Sequence, residues 1–174
     1  TTAQARSACL MVLAALAILQ PGAMGGAASA AEGWEVARWG MTREDVLAAF
    51  AGEARTLGPP EKMDGLAVTV VINERPAHSL RCRITFGFDE AGRLRAVSLR
   101  PRTRPHSFAE AERAFLIFRE AMRQQLAAPG SVSTYGATTE AIWESGPTVV
   151  KVRRLDRPQR PPEVSLVYVA REAE

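Results

Sequence analysis

The chain has 174 residues, 47 % hydrophobic and 24 % charged, a balance that excludes a disordered polymer and fits one domain with a packed core. Its 22 basic and 19 acidic side chains leave a formal charge of only +3, and aromatic residues make up 6 %, so neither an electrostatic footprint nor a stacking platform for nucleic acid is present. Nucleic acid is therefore not an expected partner.

The first element in chain order is apolar. Ala8 to Leu19 runs without a polar residue and is followed by Gln20-Pro21, a stretch of small residues and Ala28-Ser29-Ala30, an A-x-A cleavage pattern. A membrane-spanning helix needs about 20 apolar residues, more than this run supplies. Residues 1–30 thus read as a secretory signal peptide and residues 31–174 as a single α+β domain, periplasmic or secreted, with no integral membrane span after cleavage. An uncleaved anchor is the alternative. Cys9 would leave with the signal, so Cys82 would be the only cysteine of the mature chain and no intramolecular disulfide could form.

After a short lead containing Trp34 and Trp39, Thr42 to Phe50 has the marks of a helix. Thr42 is placed to cap it, Asp45 to return the hydrogen bond, and Met41 and Val46 to form a hydrophobic staple. Gly52 stops it. Gly58-Pro59-Pro60 reads as a turn, Leu66 to Ile72 as a β-branched strand, and Asn73 to Ser79 as a connection. Leu80 to Phe88 then alternates fully: Leu80, Cys82, Ile84, Phe86 and Phe88 point one way, and Arg81, Arg83, Thr85 and Gly87 the other. Asp89 to Gly92 supplies turn chemistry, and Arg93 to Leu99 returns as a second strand whose phase slips, so a bulge is expected near Arg95.

Ser107-Phe108-Ala109-Glu110 is a capping box that opens a second helix. Phe108, Ala111, Phe115, Phe118, Met122 and Leu126 recur at three and four and form one core-facing stripe, and Pro129-Gly130 ends the helix. Three strands follow: Thr138 to Trp143, Thr148 to Arg154, and Glu163 to Ala170. In the second of these Val150 and Val152 face the core; the third is apolar on both sides, as a central or covered strand would be. The expected fold is α+β, two successive α-β-β-β units forming an antiparallel sheet with helices packed on one face.

Gly40-Met41-Thr42-x-x-x-Val46, then a Gly-Pro-rich turn, then an alternating strand ending Phe86-Gly87-Phe88-Asp89-x-x-Gly92-x-Leu94, resembles a superfamily of small exported α/β domains. It includes the β-lactamase inhibitor protein and the small lipoprotein of the outer-membrane assembly machinery. The resemblance covers Trp39 to Leu99 best, and the second half only by its order of elements. It implies helices on one face of an antiparallel sheet and a role in binding other proteins. The chain departs from the lipoproteins in lacking a usable lipid-bearing cysteine, and from the inhibitor in lacking cysteine pairs.

No catalytic, cofactor or metal constellation emerges. His78 and Cys82 are four apart, but on a strand that spacing does not bring them together. His106 adjoins Ser107, whose oxygen is better used as a cap than as a nucleophile. Glu110 and Glu112 read as solvated helix residues. One surface stands out: Arg81, Arg83, Arg93 and Arg95 on the hairpin, with Lys151 and Arg153 on the same side of the sheet, and Arg100, Arg102 and Arg104 at its edge. Arginine's planar fork suits carboxylate and phosphate partners. The bland reading of this face is a solvated surface whose arginines pair with nearby acids. The functional expectation is a non-enzymatic, protein-binding or inhibitor-like domain whose partner is another envelope or secreted protein. The alternative is binding of an anionic small ligand, lipid or polysaccharide through the arginine face.

Overall fold

A computed structural model describes residues 32–171. The expected signal peptide lies outside the described residues. Among those described the elements are β1 (Gly33–Trp34), β2 (Ala37–Arg38), α1 (Arg43–Ala49), β3 (Ala54–Met63), β4 (Leu66–Ala77), β5 (Leu80–Phe88), β6 (Leu94–Pro101), α2 (Phe108–Gln125), β7 (Ser131–Tyr135), β8 (Thr138–Ser145), β9 (Thr148–Leu155) and β10 (Glu163–Ala170). β1 and β2 form a small hairpin, and the other eight strands form one antiparallel sheet in the order β3-β4-β5-β6-β10-β9-β8-β7. The molecule is thus mostly β, and the expectation of a balanced α+β fold built from two α-β-β-β units is wrong.

The miscounted strands explain the error. β3 and β7 are the two edges of the sheet. An edge strand needs no apolar alternation and tolerates proline, because one side of its backbone meets solvent. Gly58-Pro59-Pro60, read as a turn, lies inside β3, where the pairing with β4 breaks between Thr56 and Glu61. β7 is Ser-Val-Ser-Thr-Tyr, exposed throughout, and carries no burial signal at all. β4 also runs on through Asn73 to Ala77, by way of an irregularity between Ile72 and Arg75. The two-residue turn His78-Ser79 then joins Ala77 to its partner Leu80, both turn residues having positive φ (49° and 65°), as a primed hairpin turn requires.

Other expectations match the structure. Thr42 and Asp45 exchange capping hydrogen bonds. Gly87 pairs with Ala96 while Phe88 pairs with Leu94, which leaves Arg95 as the extra residue of a bulge. β10 is central, between β6 and β9. At α2 the Glu110 N–H donates to Ser107 Oγ (3.2 Å), although the Glu110 carboxylate returns to the His106 N–H (2.7 Å) and not to the cap residue itself.

The core lies between the sheet and both helices. Val46 from α1, Phe50 at its C-cap, and Ala111, Phe115, Phe118 and Met122 from α2 join Ile84, Phe86, Val97, Leu99, Leu166 and Tyr168 in one cluster. Trp34 of β1 stacks on Phe50 (5.7 Å) and tilts against Phe86 (6.1 Å), which fastens the small hairpin to the core. Phe108, expected in the core, is 59 % exposed. Its ring instead covers the Arg154 guanidinium, 4.5 Å away.

Candidate functional site

The register shows which of the selected basic residues share a face. Arg83 pairs with Arg100, and Arg153 with Ser165 and Glu140, so all of these side chains lie on the side of the sheet away from the helices. Arg81, two residues before Arg83, and Lys151, two before Arg153, share it. Arg95 joins them from its bulge, 4.0 Å from Asp89. Arg93 does not: it sits in the β5–β6 turn and its guanidinium donates to the Gly40 carbonyl (3.3 Å) beside the start of α1.

This face is largely neutralised. Arg81 pairs with Glu74. Arg83 donates to both oxygens of Glu61 (3.3 and 2.9 Å) and holds that carboxyl below its usual range. Arg153 meets Glu140 at 3.0 Å and Asp64 at 3.8 Å. The last contact is informative, because Asp64 lies in the β3–β4 turn and Arg153 on β9. The tip of the β3–β4 hairpin therefore curls over the open face. Met63, with Leu57 and Leu66 packed against it, joins Val68 and Ala96 in a second, smaller apolar cluster there. Gly87 makes room for the curl, since a Cβ at that position would stand 2.8 Å from Met63 Cε and 3.3 Å from Leu66 Cβ. A cavity of about 220 Å³ remains between the tip and the sheet, lined by Asp64, Leu66, Arg95, Lys151 and Val167 among others. Lys151 and Arg93 are the members of the selected set whose side chains have no carboxylate within 4.0 Å among the described residues, and of these two only Lys151 lies on the open face.

A concavity of about 1200 Å³ is on the other side of the sheet. One wall is α2, through Ala109, Leu116, Ile117 and Ala121; the facing wall is the β1–β2 turn with Trp34 and Glu35, and the His78-Ser79 turn closes one end above Tyr168. Burial pushes the Glu35 carboxyl up, partly offset by Arg75, which bridges it at 2.8 Å while its guanidinium lies over Trp34 and Phe50. Burial pushes the His78 imidazole down; its ring meets Phe118 edge-on at 6.2 Å. The Tyr168 hydroxyl donates to Met122 Sδ (3.4 Å), and burial first, then the Glu35 charge, raises its pKa.

No family model matches the sequence. No curated protein matches it. A solved structure of a DUF4309 family protein (YjgB) from Bacillus subtilis is similar at 12 % identity, covering 75 % of this chain and 78 % of that one with a TM-score of 0.42.

The groove was not singled out from the sequence. A signal for it exists in α2, where Leu116, Ile117 and Ala121 widen the apolar arc beyond the stripe of Phe115, Phe118 and Met122 that the sheet covers. Its other wall has none, because Trp34 and Glu35 reach the groove only through tertiary packing. Chemically the groove combines apolar surface from Trp34, Leu116, Ile117 and Ala121 with polar and charged side chains, among them Glu112, Arg113, Glu120 and Gln124 along α2. No group of three or more His, Cys, Asp or Glu side chains able to hold a metal occurs among the described residues. Cys82 is buried and its thiol is pushed up to about 11 by desolvation.

Proposed function

We propose that this chain is an exported, non-enzymatic domain that binds a segment of another envelope or secreted protein in the groove between α2 and the β1–β2 turn. The groove carries the reading. Small-molecule pockets are about 300–1,000 Å³ and enclose most of their ligand. This one is about 1200 Å³, with Leu116 40 % exposed on its wall, a size and an apolar lining suited to successive side chains of a peptide. Export is supported by the apolar run Ala8 to Leu19 and the A-x-A pattern that follows it. The resemblance of Trp39 to Leu99 to exported protein-binding domains agrees with both. The anionic-ligand alternative draws less support, because Arg81, Arg83, Arg95 and Arg153 already face carboxylates.

The test is site-specific photo-cross-linking in cells, with the probe at Leu116 and, for comparison, at Arg83. The expected result is one recurrent partner trapped from Leu116 and lost on Ile117→Glu, with the melting temperature within a degree or two of the parent. A partner trapped equally from Arg83, or one indifferent to Ile117→Glu, would move the site off the groove and overturn the reading.

A further inference from the structure

The two sheet edges are finished differently. β3 carries Arg55, Glu61 and Lys62 together with Pro59 and Pro60, and its pairing is interrupted between Thr56 and Glu61. Charge, proline and irregularity are the features that stop an edge from recruiting another strand. β7 has none of them. It is regular from Ser131 to Tyr135, wholly exposed, and no charged residue occurs anywhere between Arg123 and Glu140. Val132 and Tyr135 are 53 % and 54 % exposed, two of the few large hydrophobic side chains left in solvent among the described residues. The strand is also held firmly in place. Its approach is fixed where the Trp143 indole N–H donates to the Ala128 carbonyl (2.9 Å) and the ring lies against Gly130, and Ser131 Oγ donates to the Ile142 carbonyl (3.5 Å).

We propose that β7 pairs antiparallel with β7 of a second copy of this chain, about a two-fold axis through Ser133, to join the two eight-stranded sheets edge to edge. The sequence of the strand points to a copy of itself. An isologous antiparallel pair sets Ser133 against Ser133, Val132 against Thr134, and Ser131 against Tyr135, so a charge in β7 would meet the same charge, directly or across the diagonal. There is none to meet. The nearest charges are on β8, where Glu140 is matched by Arg153 and Glu144 by Arg171. Three strand spacings, about 14 Å, would separate the two β8 strands, beyond the Debye length of about 8 Å. Gly136 on one flank and Gly130 on the other add no side chain at the ends of the pair. α2 packs over β9 and β10, inward of the edge. A pair of five-residue strands is smaller than the roughly 1,200 Å² of a stable interface, so the dimer is weak and concentration-dependent.

The test uses the full chain. In a chain that carries Cys9→Ser, Ser133→Cys places two thiols opposite each other within disulfide reach, whereas Cys82 is buried, so mild oxidation is expected to give a covalent dimer from Ser133→Cys and much less from Ser131→Cys, whose opposite residue is Tyr135. Sedimentation velocity supplies the second readout. Val132→Lys with Thr134→Lys is expected to weaken the dimer at least tenfold, and Val132→Lys with Thr134→Glu to restore it, because in this register each lysine then faces a glutamate. Equal melting temperatures for the variants exclude a folding effect. A monomer at every concentration, a dimer indifferent to both double variants, or a Ser133→Cys chain that cross-links only to other proteins would each overturn the proposal.

Discussion

His78 combines a left-handed backbone with a half-buried ring at the end of the groove. Its φ of 49° is set by the primed turn between β4 and β5, and its imidazole is held below the ordinary 6.5 by desolvation. The unfolded chain therefore binds this proton more readily than the folded one, so the stability the neutral ring contributes is present above 6.5 and lost as pH falls through the folded value. Glu35 works in the opposite sense: its carboxyl is raised from 4.5, so its contribution is greatest in acid and declines as pH rises through the folded value. The expected outcome is a melting temperature that drops between about pH 7.5 and about pH 5.5, and a shallower drop for His78→Asn, a residue that tolerates the left-handed turn. Differential scanning fluorimetry across that range checks it; equal slopes would show that His78 does not titrate with unfolding.

Among the elements, α2 shows how a helix can present two faces. Phe118 is fully buried against the sheet, whereas Phe108, on the same heptad-like stripe, is 59 % exposed because the first turn extends past the sheet's apolar area and lies over Arg154. Arg154 itself is 8 % exposed, paired with Asp156 and Glu112, and lies between the Phe108 and Phe115 rings. Periodicity identifies the face of a helix but not where its cover ends. Phe118→Ala is expected to cost about 3–5 kcal/mol through the cavity it leaves, and Phe108→Ala no more than about 1 kcal/mol, its burial being slight and its cation–π contact partly in solvent. Urea unfolding of the two variants decides this; similar losses would place Phe108 back in the core.

On the scale of the whole molecule, the sheet is bent by its irregularities. β4 breaks register with β5 between Val68 and Val70 and again between Ile72 and Arg75, β3 breaks with β4 between Thr56 and Glu61, and the tip they carry folds over the arginine face. Gly87 is the position that permits the close approach. Gly87→Leu is expected to push Met63 and Leu66 away and to speed amide exchange across residues 62–66 severalfold, while β5 and β6 stay protected. Hydrogen-exchange mass spectrometry reads this directly. Unchanged exchange at the tip would mean that Met63 and Leu66 can absorb the side chain without opening.

The chain's local chemistry determined a good deal: the capped start of α1, the alternation of Leu80 to Phe88, the bulge at Arg95, the buried stripe of α2 and the central place of Glu163 to Ala170 all follow from periodicities of two or near 3.6 and from residues with one strong backbone preference. Tertiary structure alone decided the rest. Edge strands β3 and β7 carry no burial pattern because solvent takes one side of their backbone, and without them the fold reads as α+β when it is mostly β. The arginine face was visible as a pattern, but its neutralisation depends on Glu74, Glu61, Glu140 and Asp64, which only the pairing of strands and the curl of the β3–β4 tip bring to it. The groove has the same origin: its two walls lie far apart in sequence, and no local preference of either one specifies the other.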